Sequence, residues 1–123
     1  MALHNEFGNA GENAAKETLI KEGYTIRETN WKCGKLEIDI VAEKGGRIII
    51  VEVKTRSSDY VAPVDAIDKR KISHLVKAAN AYIKHYDLPH EVQFDIITLI
   101  GKPDDFTIEH IADAFMPPLK TYR

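Results

Sequence analysis

The sequence predicts an α/β fold: a mixed sheet flanked by helices, ordered helix, three strands, helix, strand, with a further short C-terminal strand. Three observations carry that reading. Apolar residues recur at helical spacing from Ile72 to Tyr86. Two runs rich in β-branched residues, Leu36 to Glu43 and Arg47 to Lys54, are joined by Lys44-Gly45-Gly46. No repeat, low-complexity tract or Pro/Ser-rich linker divides the 123 residues, so residues 1–123 are expected to form one domain.

Taken in order, Asn5 to Glu22 reads as a helix, closed by Gly23 in the position after the cap. Tyr24 to Trp31 alternates Tyr24, Ile26 and Glu28 against Thr25, Arg27 and Thr29, as a strand does, and a turn follows at Lys32-Cys33-Gly34. Leu36 to Glu43 and Arg47 to Lys54 make a hairpin over Gly45-Gly46, or over the longer loop Lys44 to Arg47. Thr55 to Pro63 reads as loop. Ile72, Leu75, Val76, Ala79, Tyr82, Ile83 and Tyr86 then form the apolar face of a second helix, and Pro89 closes the segment after it. Glu91 to Ile100 is a strand, Gly101-Lys102-Pro103-Asp104 a turn, and Phe106 to Ile111 the last, shorter strand.

Composition narrows the class. With 44% hydrophobic and 29% charged residues the chain resembles an ordinary globular domain, long enough to hold a core without staples. No apolar run approaches the roughly 20 residues of a membrane span. Met1 to Glu12 has neither the basic nor the apolar region of a signal peptide. The single cysteine, Cys33, excludes an internal disulfide and any multi-cysteine zinc site. A soluble cytoplasmic protein is expected. Seventeen Lys plus Arg against nineteen Asp plus Glu give a net charge of −2, which taken globally argues against a nucleic-acid binder. The distribution is uneven, however. Ala66 to Tyr86 carries Lys69, Arg70, Lys71, Lys77 and Lys84 against Asp68 alone, and Glu91 to Asp113 is predominantly acidic.

The central hairpin holds the sharpest chemical signal. Residues two apart on a strand share a face, so Glu37 goes with Asp39 and Glu52 with Lys54, while Ile38, Ile40, Val51 and Val53 face the other side. The Gly45-Gly46 turn sets Asp39 opposite Glu52 and Glu37 opposite Lys54. Two opposed carboxylates repel unless a positive charge lies between them. Mg²⁺ held by one or two carboxylates and several waters is the natural solution, and Lys54 would stand ready to orient or deprotonate a water activated there. A solvent-exposed hairpin face with charges of both signs fits the same spacing. On the first helix, Gly8, Glu12, Ala15 and Leu19 form one stripe, with Gly8, Gly11 and Ala15 small enough for close approach to the sheet. A carboxylate on that stripe either joins the acidic cluster or reaches water at the helix boundary.

These residues resemble a known family. Gly11-Glu12, then Leu36-Glu37-Ile38-Asp39-Ile40-Val41-Ala42, then Val51-Glu52-Val53-Lys54-Thr55-Arg56 are similar to the YraN-like bacterial proteins. The likeness continues through Ala66 to Lys71, Phe94-Asp95, His110-Ile111 and Ala114-Phe115, and so covers nearly the whole chain. That family is predicted to belong to the PD-(D/E)xK nuclease superfamily and is similar to archaeal-type Holliday junction resolvases. The resemblance implies a restriction-endonuclease-like fold, with Asp39 and Glu52 as metal ligands, Lys54 as the catalytic lysine and Glu12 as an outer or second-site ligand. It further implies Mg²⁺ or Mn²⁺ as cofactor, DNA as partner, and a homodimer. Two departures stand out: Ile38 rather than Pro precedes Asp39, and Gly34-Lys35-Leu36-Glu37 replaces the family's usual Gly-Gly-Glu or Gly-Glu.

Lys69 and Lys71, flanking the apolar stripe near the start of the second helix, and Arg56, just past Lys54, are the candidates for phosphate contacts. Arg70, Lys77 and Lys84 recur every seven residues opposite the stripe and read as its solvated face. The five histidines show no metal-ligand spacing, and His110 reads as structural. Trp31 and Cys33 read as a packed aromatic and an inert thiol. The leading expectation is an Mg²⁺- or Mn²⁺-dependent endonuclease acting on DNA, branched or single-strand-containing structures among its substrates. A non-catalytic nucleic-acid-binding or assembly module with a structural metal site is the alternative. A soluble scaffold without nucleic-acid affinity also fits the acidic charge.

Overall fold

The computed structural model describes residues 3–57, 69–89 and 91–115. The elements follow the expected order: α1 (Leu3–Lys21), β1 (Thr25–Cys33), β2 (Leu36–Lys44), β3 (Arg47–Arg56), α2 (Lys69–Tyr86), β4 (Glu91–Lys102) and β5 (Asp105–Ile111). The strands form one mixed sheet in the order β1-β2-β3-β4-β5. Only β3 and β4 run parallel, and α2 makes the crossover between them. The other three pairs are antiparallel.

The helices cover opposite faces. Ala15 and Leu19 of α1 pack with Tyr24, Ile40, Ala42, Ile49, Val51, Ile97 and Leu99. Leu75, Ala78, Ala79 and Tyr82 of α2 pack with Ile38, Val41, Ile48, Ile50 and Phe94. Ile48 to Val51 are buried on both faces, which is why this strand reads as an unbroken apolar run.

The turns show why the boundaries fall where they do. Gly23, at φ 94°, closes α1: its N–H donates to the Ile20 carbonyl and that of Tyr24 to Leu19, a Schellman motif. Asp87 repeats this arrangement at the end of α2 with φ 52° and donations from Asp87 to Lys84 and from Leu88 to Ile83. Gly45 and Gly46, at φ 59° and 77°, make the two-residue loop with the expected register, Lys44 against Arg47 through Ile40 against Val51. The first hairpin turn lies at Gly34-Lys35 instead of Lys32-Cys33-Gly34, because β1 runs on until Cys33 pairs with Leu36. Strand β3 continues through Arg56 and absorbs the start of the expected loop, whose residues 58–63 lie outside the described residues.

Two irregularities in β1 break the simple alternation. Arg27 is a bulge residue between Ile26 and Glu28, and its Nε donates to the Tyr82 hydroxyl at 2.8 Å. Asn30, at φ 52°, interrupts the ladder opposite Asp39. The break carries through to β2, where Ile38 packs with the α2 cluster although Ile40 packs with that of α1. The expectation that Ile38, Ile40, Val51 and Val53 share one face is therefore corrected at Ile38. Gly8 has open space around it and Gly11 does not: a Cβ there would lie 2.7 Å from Thr55 Cγ2. Gly11 alone is the glycine that lets α1 approach β3.

Candidate functional site

The β2–β3 ladder ends at Ile40–Val51, one step before Asp39 and Glu52. There the strands part, and Asp39 Oδ2 accepts the Val53 N–H at 2.9 Å where a strand carbonyl would otherwise stand. The parting opens a cleft of about 630 Å³. Glu37 and Asp39 of β2 and Glu52 and Lys54 of β3 line it, roofed by Arg70, Lys71 and His74 of α2. Lys35, in the β1–β2 turn, stands at its rim.

The electrostatics are those of two carboxylates too close for comfort. Burial, then the neighbouring Glu52 charge, push Asp39 up to about 6, against the Val53 hydrogen bond that favours the ionised form. Glu52 is only 5% exposed. Its Oε2 meets Lys54 Nζ at 3.3 Å and Lys71 Nζ at 3.2 Å. Lys54 thus pairs with Glu52 along its own strand, and the expected Glu37–Lys54 cross-strand pair is not made because the ladder has already ended.

Asp39, Glu52 and Lys54 share the cleft, and Lys71, expected as a phosphate contact, joins them on Glu52; three other candidates are not brought in. Glu12 is near enough to raise Asp39 further, yet its Oε1 accepts the Asn30 amide at 3.2 Å. Among the described residues, no three acidic, His or Cys side chains group to hold a metal ion. Glu12 approaches Asp39 from α1 and is held by Asn30 of β1, so Asp39 and Glu52 are the two carboxylates that face each other in the cleft. Arg56 donates to the Thr55 carbonyl at 2.9 Å, outside the cleft lining, and Lys69 is exposed at the first turn of α2. Arg70, expected on the solvated face, is exposed there and also lines the cleft. The α2 stripe alone does not reveal it, nor His74, four residues on, nor Lys35. Arg70 and His74 do carry an i, i+4 signal for a shared face. Asn30 also escapes the strand pattern; Asn is among the few residues that tolerate a left-handed conformation.

For a divalent cation the donor set is chemically suitable. Asp39 and Glu52 are hard oxygen donors that repel each other, and Asp39 Oδ1 accepts no hydrogen bond among the described residues. Two carboxylates completed by water suit Mg²⁺ or Mn²⁺.

A second buried carboxylate lies on the α1 side. Asp95, 1% exposed, accepts from the Tyr24 hydroxyl at 2.9 Å, the Gln93 amide at 2.9 Å and the Asp113 N–H at 3.0 Å. His110 bridges it to α1, with Nε2 2.7 Å from Asp95 Oδ2 and Nδ1 2.6 Å from Glu22 Oε1. Both ring nitrogens face carboxylates, an arrangement that favours the doubly protonated ring with two N–H donors. The Asp95 bond raises the His110 pKa, burial opposes it, and Glu22 adds to the rise. Burial would lift Asp95, but its His110, Asp113, Gln93 and Tyr24 hydrogen bonds together hold it below its ordinary value. This cluster ties β4 and β5 to the end of α1 and stands apart from the cleft.

Comparison with known proteins places these residues in a family. Residues 11–99 match the family described as "Uncharacterised protein family UPF0102". A UPF0102 protein of Bacteroides fragilis is 53% identical over 120 residues, covering 97% of this chain and 99% of the relative. One from Bacteroides thetaiotaomicron is 52% identical over the same length and coverage. One from Flavobacterium psychrophilum is 50% identical over 116 residues, or 94% and 98% of the two chains. The matched stretch includes Glu12, Asp39, Glu52, Lys54 and Lys71, and this chain belongs to the UPF0102 family.

Proposed function

We propose that the protein is an endodeoxyribonuclease that hydrolyses DNA phosphodiesters with Mg²⁺ or Mn²⁺ held by Asp39 and Glu52. One observation carries the reading: two mutually repelling carboxylates share a cleft with Lys54 and Lys71, both of them on Glu52. When bound, the cation would activate water and take up charge on the phosphate. The chain's own residues supply the rest. The Val53 N–H fixes the Asp39 carboxylate. Glu52 holds the Lys54 ammonium at the cleft wall, where it can exchange a proton with the attacking water or stabilise phosphate charge. Lys35 and Arg70 line a positively charged approach for the DNA backbone, with His74 beside Arg70. Lys35, Lys54, Arg70 and Lys71 line this one cleft, a local concentration of positive charge that the net charge of −2 hides.

The test is cleavage of linear, flapped and four-way DNA with Mg²⁺, with Mn²⁺ and with chelator. Metal-dependent nicking that disappears in folded Asp39→Ala and Lys54→Ala proteins is the expected result. Cleavage that survives both substitutions refutes the mechanism. Salt-sensitive binding and metal-dependent thermal stabilisation without cleavage on any substrate would identify a non-catalytic nucleic-acid-binding module instead.

A further inference from the structure

We propose that Lys71 is the counter-ion that a divalent cation displaces from Glu52, and that displacement delivers its ammonium to the substrate phosphate. This rests on the nuclease reading and adds to it an order of events: metal first, then a phosphate-competent site.

The geometry distinguishes the two lysines on Glu52. Lys54 lies two residues along the same strand, so the pleat of β3 keeps it beside Glu52. Its side chain is 18% exposed. Lys71 reaches the same oxygen, Oε2, from a different element, the first turn of α2, and its side chain is 38% exposed. A long, flexible, strongly hydrated lysine with water at hand can exchange one carboxylate oxygen for water without leaving its place on α2. A dication bound to Glu52 and an ammonium on the same carboxylate oxygen repel each other, so the more mobile cation gives way.

Metal binding changes the charge of the cleft floor. Asp39 and Glu52 balance Lys54 and Lys71, so with all four ionised this inner group is neutral and the attraction for phosphate is left to Lys35 and Arg70 around it, against Glu37. A divalent cation on the two carboxylates leaves a local charge of plus two, carried outward on the lysines. A phosphodiester has one negative charge and gains more as a nucleophile adds to it. The metal therefore acts at a distance from itself, by releasing Lys71. Arg70 and His74 line the same cleft beside Lys71. Linkage makes the effect reciprocal: phosphate that draws Lys71 away from Glu52 tightens cation binding by the same factor.

The experiment is calorimetric titration of Mn²⁺ into the DNA-free protein at low ionic strength, comparing wild type with Lys71→Met, Lys71→Arg and Lys77→Met. Lys71→Met is expected to bind Mn²⁺ about five- to tenfold more tightly, the gain from removing one competing ion pair on a buried carboxylate. Lys71→Arg, which keeps the charge, should bind no more tightly than wild type. Lys77→Met, which removes a charge elsewhere on α2, should stay within about twofold, since distant surface charge is screened. Equal or weaker Mn²⁺ binding by a folded Lys71→Met protein overturns the exchange, as does an equal gain in Lys77→Met. In either of those cases the nuclease reading stands. Absence of Mn²⁺ binding to the wild type refutes both.

Discussion

Asp39→Asn should make the metal-free protein more stable, and by an amount that depends on pH. Asp39 is an acid whose pKa rises on folding from 3.8 to about 6, so folding favours its protonated form. Its charge costs nothing well below pH 3.8; the penalty grows as pH rises and is complete above about pH 6. A rise of that size corresponds to about 3 kcal/mol at neutral pH and above, at about 1.4 kcal/mol per pH unit. Asn is nearly isosteric, carries no charge and keeps a carbonyl oxygen for the Val53 N–H. The variant should therefore gain roughly 3 kcal/mol over wild type at about pH 8 in chelator, and well under about 1 kcal/mol at about pH 4. Urea denaturation of both proteins at the two pH values measures this directly. Millimolar Mg²⁺ should narrow the gap at the higher pH, because a bound dication stabilises only the wild-type carboxylate pair. A variant less stable than wild type at the higher pH, or a difference that does not shrink on acidification, would show that Asp39 is not an uncompensated charge.

Three further outcomes test other parts of the molecule. His110→Ala should destabilise by about 3 kcal/mol, since it leaves Asp95 buried without its cation. His110, with a raised pKa, contributes fully below 6.5 and loses its contribution as pH rises through the raised value; Asp95, with a lowered one, contributes above 3.8 and loses it on acidification. Chemical denaturation should accordingly show the largest loss between about pH 4 and 6.5 and a smaller one at about pH 9. Asp87→Gly should stabilise by about 0.5–1 kcal/mol in a thermal melt, because the residue closing α2 has φ 52° and glycine reaches that conformation without a Cβ clash. Gly101→Ala should cost about 2 kcal/mol or more by urea denaturation, since φ is 140° there and a Cβ would stand 2.4 Å from the Asp105 carbonyl oxygen.

Much of the fold and of the cleft is legible in the chain because local rules and tertiary packing agree. The Gly45-Gly46 turn fixes a register, and the register brings Asp39 towards Glu52. The α2 stripe from Ile72 to Tyr86 likewise follows from spacing alone. The features that elude the pattern are departures from periodicity. The bulge at Arg27 is fixed by Tyr82, a long way off in the sequence, and no local signal marks it. Asn30 offers one, its tolerance of positive φ, but the strand pattern around it points the other way. The misplacement of Ile38 has the same origin. Arg70 is exposed, as its angle to the apolar stripe implies, but the cleft it also lines exists only because the ends of β2 and β3 part beside the start of α2. Glu12 sits on its helix and near Asp39 as its spacing implies, but its restraint by Asn30 depends on packing between layers.

The parting of β2 and β3 also bears on how the chain reaches its native state. Asp39 and Glu52 are near neighbours in sequence, joined by a two-residue turn, and hairpins of that kind close within microseconds. Lys71 arrives only when α2 docks, and the β3–β4 pairing that α2 spans joins residues much farther apart in the chain. The like charges therefore meet before one of their cations is in place. The site thus opposes hairpin closure electrostatically, and acidification towards the ordinary carboxylate range, where the still unburied Asp39 and Glu52 protonate, should speed refolding.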